Sequence, residues 1–400
     1  MVLLECMGRK KSTKKCPVCH KTGVKRNGVT SSGRIRWRCT QCGASTIQYR
    51  LDITHKAVLT KFLDYLMGKQ SQSQINPIIT DRSFRTRIAW CWNIRPCIPV
   101  TREKYDVVQI DGTYLPYDWC LLTALAHGKV VAYQWCHAEN KSAYHALLSR
   151  LVPPVMVVTD GHTAALQAIH QCWPSTRVQR CLVHVKRNIR ALTSTHPKHA
   201  ASKALWGLAQ QLVTIHTLDQ SIHWLTLLQD FYDQYGSWIN EKTWRDSTLP
   251  GLVPSWVRHS QQWWWTHYNS RRAYRLLEKL ARQGVLFTFL DPCLREQVCE
   301  VLPSTTNALE GGVNAQIKNL IRCHRGLSEE HMRRAVEWWC YLHSSCPVDP
   351  VSFISRQDTT SGRKQDIHEE EIGPVNIDTA IDIMRVDYSP GISIRKGHIK

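Results

Sequence analysis

A chain of 400 residues that is 43% hydrophobic and 21% charged is too long for one ordinary domain and has the balance of a folded, water-soluble protein. Its charge is lopsided: 52 Lys and Arg against 32 Asp and Glu give +20. Residues 1–50 carry 12 basic and 1 acidic residue and residues 51–104 carry 9 against 4, so the first 104 residues hold +16 of that excess. A basic N-terminal region of this kind faces a polyanion, and nucleic acid is the expected partner. The opening residues lack a signal-peptide core, and no run approaches the roughly 18 apolar residues of a membrane span. The expectation is a chain that is neither exported nor membrane-inserted. Most of the 16 cysteines, Cys120 and Cys136 among them, stand singly among apolar neighbours and read as small core residues in a reducing compartment.

One cysteine group has ligand spacing. Cys16-Pro-Val-Cys19, nineteen further residues, and Cys39-Thr-Gln-Cys42 make two C-x-x-C knuckles, which together complete a tetrahedral four-thiolate shell suited to one structural Zn²⁺. Gly23, Gly28 and Gly33 punctuate the stretch between them, and Arg34-Ile-Arg36-Trp-Arg38 alternates as a strand does, so residues 1–48 read as a zinc ribbon. Arg34, Arg36 and Arg38 are candidate phosphate contacts; a ribbon that only stabilises the terminus is the plainer reading. From residue 49 to about 100 the pattern is helical: Val58, Phe62, Leu63 and Leu66 recur at helix spacing, and Phe84, Ile88, Cys91 and Trp92 share a side of a later helix. Arg82, Thr86 and Asn93 face away from that side. The pattern fits a helix-turn-helix-like DNA-binding domain with Arg82 and Thr86 towards DNA, and it equally fits a small helical connector.

Beyond Pro99 strands and helices alternate. Tyr105–Asp111 is a short apolar strand ending on Asp-Gly; Leu121–Ala126 and Val130–Cys136 are two more strands joined by His127-Gly128; a helix spans about Ser142–Leu151. Val155–Asp160 is then a second apolar strand ending on Asp-Gly. Carboxylates delivered by the ends of neighbouring strands in an α/β arrangement lie where ligands bind. Two such groups repel unless a divalent cation keeps both ionised, and hard oxygen donors favour Mg²⁺ or Mn²⁺.

A third carboxylate stands in Ser304-Thr-Thr-Asn307-Ala-Leu-Glu310-Gly-Gly-Val-Asn314-Ala-Gln-Ile-Lys318-Asn-Leu-Ile-Arg322. The Ser/Thr/Asn cluster starts a helix whose buried stripe is Leu309, Val313, Ile317, Leu320 and Ile321. Four-residue steps place Glu310, Asn314, Lys318 and Arg322 on an adjacent face, an arrangement usable by a metal-plus-phosphodiester site or equally by a solvated helix. Gly311-Gly312 weakens helix propensity by up to roughly 2 kcal/mol and suits the close approach of a bulky partner.

Asp111-Gly-Thr, Asp160-Gly-His, Arg180-Cys181-Leu-Val-His184-Val-Lys186-Arg187-Asn188 and Thr306-Asn307-Ala-Leu-Glu310 occur in an order that resembles the DDE transposases of bacterial insertion sequences in the Mutator-like superfamily. The resemblance runs over roughly residues 105–345. It implies an α/β RNase H-like catalytic domain over 101–350, interrupted at about 195–300 by an all-α insertion, with Asp111, Asp160 and Glu310 as catalytic residues holding two Mg²⁺, which Mn²⁺ could replace. Asp111 would bridge both ions, and Asp160 and Glu310 would hold one each. It further implies metal-dependent cleavage and strand transfer at terminal inverted repeats, double-stranded DNA as element end and target, a homodimer or larger assembly, and a cytoplasmic, nucleoid-associated bacterial protein.

Cys181 and His184 match the family's C-x-x-H signature; two ligands make an incomplete metal shell, so no ion is expected there. A role in arranging the site and a buried structural pair both remain open. Lys186, Arg187, Asn314, Lys318 and Arg322 are further candidate DNA contacts. The eight tryptophans of residues 195–300, including Trp263-Trp264-Trp265, read as an aromatic core or as a stacking surface for distorted bases. Residues 351–400 read as a polar, loosely attached tail. The rival functions are a structure-selective nuclease of the same fold and a transposase-derived DNA-binding regulator.

Overall fold

The computed structural model describes residues 14–31, 33–47, 51–68, 72–75, 80–345, 347 and 349–353; the expected tail falls outside them, apart from its first residues. The described residues divide into two compact units, one comprising 14–96, 320–339, 347 and 349–353, the other 97–319 and 340–345.

In the first unit, β1 (Val24–Val29), β2 (Ile35–Cys39) and β3 (Ser45–Ile47) form an antiparallel sheet in that order. The core beneath it is small: Cys16, Val24 and Cys39 are buried, with Cys19, Trp37 and Ala44 packed alongside. Three helices follow, α1 (Leu51–Met67), α2 (Gln72–Ile75) and α3 (Asp81–Ile88). Thr80 caps α3 by accepting from the Ser83 amide, and the expected apolar side of this region is buried through Phe62, Leu66, Phe84, Ile88, Cys91 and Trp92.

The second unit is built on a five-stranded sheet. β4 (Val107–Tyr114), β5 (Cys120–Ala126) and β6 (Lys129–Cys136) form an antiparallel meander, and β7 (Met156–Thr159) and β8 (Arg177–Arg180) add parallel to β4, giving the order β6-β5-β4-β7-β8. His127 and Gly128, both at positive φ, make the expected tight turn between β5 and β6. Successive residues face opposite sides of the sheet. Val108, Ile110 and Val157 meet α4 (Lys141–Leu148) and α5 (Thr163–Cys172) on one side. Val107, Met156 and Val158 meet α6 (Leu182–Thr193), α7 (Ala200–Gln211) and α8 (Leu218–Ile239) on the other. The buried Gln179 side chain on β8 donates to Leu286 O and accepts from the Phe289 amide, which fastens the segment around residue 288 to the last strand.

Three details differ from the sequence expectations. The strand carrying Asp111 does not end there: Gly112, Thr113 and Tyr114 stay paired with Leu122, Leu121 and Cys120, because β5 continues beside β4 past the point where β7 stops. Residues 195–300 are not all helical. Between α8 and α9 (Tyr268–Arg282), β9 (Lys242–Trp244) pairs with β10 (Trp263–Trp265), as a run of strand-favouring tryptophans can. Lys242 sits over the Trp263 ring at 4.2 Å and Arg271 over Trp265 at 3.8 Å. The segment continues through α10 (Pro292–Gln297).

The third difference concerns the region of Glu310. Ala308–Asn314 is a π-helical stretch that passes into α11 (Ala315–Cys323), and α12 (Glu329–Leu342) follows. The four residues spaced by four do not share one environment, because Asn314 is drawn to Asp111. Asn314 is buried, whereas Lys318 is exposed. No protein atom comes within 4 Å of where a Cβ on Gly311 or Gly312 would stand, so no internal packing requires glycine at these positions.

Candidate functional site

The β4–β7 register sets the geometry. The last parallel pair is Ile110↔Thr159, so Asp111 and Asp160 are the next residues on neighbouring strands, whose spacing is about 4.8 Å. Alternation puts Asp111 on the side of Val107 and makes Asp160 continue the side of Met156 and Val158, the side that α6 covers. Asp160 begins a tight loop: its Oδ1 accepts from the His162 amide at 2.9 Å and the Thr159 hydroxyl at 3.2 Å. Gly161 has φ +80°, and the Arg180 guanidinium occupies the space a Cβ would need while donating to Asp160 O at 2.8 Å. A side chain at 161 would therefore displace the loop that aims Asp160.

Glu310 approaches from the π-helical stretch. One turn on, Asn314 Nδ2 donates to Asp111 Oδ2 at 2.8 Å and ties this segment to β4. The Glu310 carboxylate is ion-paired with Arg187 and lies 3.3 Å from His184 Nδ1, both on α6. Cys181, at the start of α6, accepts from the Thr306 amide and hydroxyl, each at 3.3 Å. The C-x-x-H pair is thereby placed against the third carboxylate. Cys181 Sγ, a His184 ring nitrogen and a Glu310 oxygen all lie within 4.8 Å of one another, so the pair taken by itself as an incomplete shell gains a third potential ligand.

The electrostatics follow from this crowding. Burial, and then the Asp160 charge, push the Asp111 carboxyl well above the usual carboxylate range. Burial opposes charge on His184, but the Cys181 thiol, Asp160 and Glu310 outweigh it and lift the imidazole to about 9. Burial likewise opposes ionisation of Cys181, yet His184 and Thr306 bring its thiol below the ordinary value. At neutral pH His184 is thus a cation, and with Arg187 it compensates Glu310.

A residue absent from the sequence expectations joins the cluster. Glu139 follows β6 and accepts from the Tyr144 hydroxyl at 2.6 Å. A Cβ on Gly112, next to Asp111, would stand 2.6 Å from the Glu139 carboxylate. Burial and the Asp160 charge raise the Glu139 carboxyl too. The available signal was positional: an acid just past a strand end and before the Asn140 cap of α4.

Of the other candidates, Arg34, Arg36 and Arg38 are exposed around β2, Arg82 and Thr86 are exposed on α3, and Lys318 and Arg322 are exposed on α11. Lys186 is half-buried with its ammonium 6.0 Å from the Trp206 ring centre. Arg187 is engaged with Glu310, and Asn314 faces Asp111 instead of solvent.

The four N-terminal cysteines also converge, with all sulfurs within 4.8 Å of one another, Cys16 3.7 Å from Cys42 and Cys19 3.6 Å from Cys39. Backbone amides of the second knuckle lower the Cys39 thiol to about 6; the Ala44 amide pulls Cys42 the same way, but desolvation and its sulfur neighbours outweigh it and leave Cys42 raised to about 11. Such a set could hold a zinc ion.

Residues 123–246 match the family described as "Transposase, Mutator family". The resemblance to Mutator-like insertion-sequence transposases holds. A curated relative, the transposase for insertion sequence element IS905 of Lactococcus lactis, is 35% identical over an alignment of 102 residues that covers 22% of this chain and 26% of that protein. The chain thus spans about a quarter of the length of the curated relative it matches. The family match includes Glu139, Asp160, Cys181, His184 and Arg187; Asp111 and Glu310 lie outside it and join these residues through the β4–β7 register and the π-helical stretch. Among the described residues no helix is long and apolar enough to cross a membrane.

Two outcomes are expected. Because the folded Asp111 carboxyl is raised, its ionisation costs stability once pH rises above the ordinary carboxylate value near 4. Asp111→Asn should therefore raise Tm at pH 7 in metal-free buffer, and the gain should shrink as the pH falls towards 4. Thermal melts at the two pH values check this. Atomic absorption should find roughly one zinc per chain in the parent protein, and Cys16→Ser or Cys39→Ser should remove it and expose the strands β1–β3 to amide exchange.

Proposed function

We propose that the protein is a DDE-type transposase that binds the terminal inverted repeats of its element and catalyses metal-dependent cleavage and strand transfer. The observation carrying this reading is the placement of Asp111 and Asp160 one step beyond the last pair of adjacent parallel strands, with Asn314 tying the Glu310 segment to Asp111. The sheet order supports an RNase H-like catalytic domain, with the helical segment after α6 as its insertion. The donors suit the ions: carboxylate oxygens, crowded enough to raise the Asp111 pKa, are ligands for Mg²⁺ or Mn²⁺.

When bound, a pair of such ions supplies Lewis-acid activation of the attacking hydroxyl and stabilisation of the leaving oxygen. The chain's own contribution is placement. Asp111, beside Asp160 in the strand register and tied to the Glu310 segment through Asn314, would be the ligand held in common. Asp160 is aimed by the Thr159 hydroxyl, the His162 amide and Arg180. Arg187 and His184 hold Glu310 while it is not needed as a ligand and are cations a phosphodiester would attract. Gly311, exposed, and Gly312, half-buried, leave the backbone beside Glu310 open to such a strand. The four-cysteine sheet with Arg34, Arg36 and Arg38, and α3 with Arg82 and Thr86, serve as the zinc ribbon and helical reader of the element ends, in a dimer or larger assembly that joins two of them. Lys318 and Arg322 add phosphate contacts along α11.

The test is cleavage of a DNA duplex bearing the element's own end. Asp111→Asn, Asp160→Asn and Glu310→Gln should each lower Mg²⁺-dependent cleavage by at least a thousandfold, a barrier change of about 4 kcal/mol, while gel-shift affinity for the same duplex stays within a few-fold. Full activity in any one removes that residue from the site. Cleavage without joining in a strand-transfer assay would favour the nuclease.

A further inference from the structure

Glu139 is the acidic group for which the three-carboxylate scheme has no use, and its surroundings are built around it. It stands between β6 and α4, and the neighbouring Asn140 fixes the start of α4 by accepting from the Ala143 amide at 2.8 Å. Tyr144, one turn into α4 and 1% exposed, donates its hydroxyl to Glu139 Oε2 at 2.6 Å. On the other side is Gly112. That residue lies within β4 at ordinary strand dihedrals, so no turn requires a glycine there. Its missing Cβ is where the carboxylate fits: an added Cβ would lie 2.6 Å from both Cδ and Oε1. The fold leaves a notch in the strand, one residue from Asp111, and fills it with a carboxylate.

An acid brought into a crowd of acids costs stability unless something gathers their charge. One tyrosine hydroxyl satisfies a single oxygen and leaves the other turned to the strand beside Asp111. We propose that Glu139 is a fourth carboxylate of the cation site, completing with Asp111 and Asp160 the oxygen shell of one divalent ion, directly or through one water, on the side of the site away from Glu310. The inference rests on the reading of Asp111 and Asp160 as cation ligands. In this arrangement Glu310, held by α6, serves the second ion, and the two ions have distinct carboxylate sets that share Asp111.

Mn²⁺ binding to the full-length protein, followed by the electron paramagnetic resonance of free Mn²⁺, tests it without any catalytic readout. Glu139→Gln preserves shape and an acceptor for Tyr144, so it should weaken Mn²⁺ affinity at least about tenfold or remove one ion from the stoichiometry. Unchanged affinity and stoichiometry in Glu139→Gln, with binding lost in Asp111→Asn, would overturn the Glu139 assignment and leave the aspartate pair standing. No Mn²⁺ bound by the parent protein at millimolar concentration would overturn both. Should Glu139→Gln fail to fold, Fe²⁺-driven oxidative backbone cleavage of the parent protein decides: cuts beside residues 111, 139 and 160 are expected, and cuts at 111 and 160 with none at 138–140 would refute the proposal.

Discussion

The site depends on the juxtaposition of two like charges. Pairing of Ile110 with Thr159 makes Asp111 and Asp160 neighbours, and everything near them can be understood as managing that repulsion. Asn314 offers a donor to Asp111, amides and a hydroxyl fix Asp160, and His184 and Arg187 bring positive charge from α6. A fold would not be expected to keep such a pair for stability, since burial and mutual repulsion both raise the Asp111 carboxyl. Compensation by a divalent ion, as proposed, would give the arrangement a purpose.

The C-x-x-H pair acquires a physical role in the same picture. Cys181 and His184 support one another's charged forms, with Thr306 donating to the sulfur, and His184 presents the resulting cation to Glu310. Thr306 belongs to the segment that begins the π-helical stretch, so α6 and the Glu310 segment are joined through the sulfur as well as through the carboxylate. Asn314 turns inwards to Asp111 while Lys318, one turn further along on α11, is exposed. One short segment thus touches both α6 and β4.

Much of this was legible in the sequence. The apolar strands that lead to Asp111 and Asp160, the His127-Gly128 turn and the paired C-x-x-C knuckles each depend on local chemistry, and each is found where spacing put it. What was hidden depends on partners remote in sequence. The continuation of β4 past Asp111 is decided by β5, not by Gly112. The strand character of Trp263–Trp265 is decided by pairing with Lys242–Trp244. Glu139 belongs to no motif, and its relation to Gly112 exists only once β6 and α4 have folded back on β4. The four-step stripe from Glu310 is divided by a remote partner, since Asn314 is drawn inwards to Asp111 while Lys318 and Arg322 are exposed.

Crystals of the full-length protein soaked with Mn²⁺ and measured at the manganese edge test the central claim most directly. The account predicts an anomalous peak coordinated by carboxylate oxygens of both Asp111 and Asp160. A peak confined to Cys181, His184 and Glu310, with none between the aspartates, would contradict it.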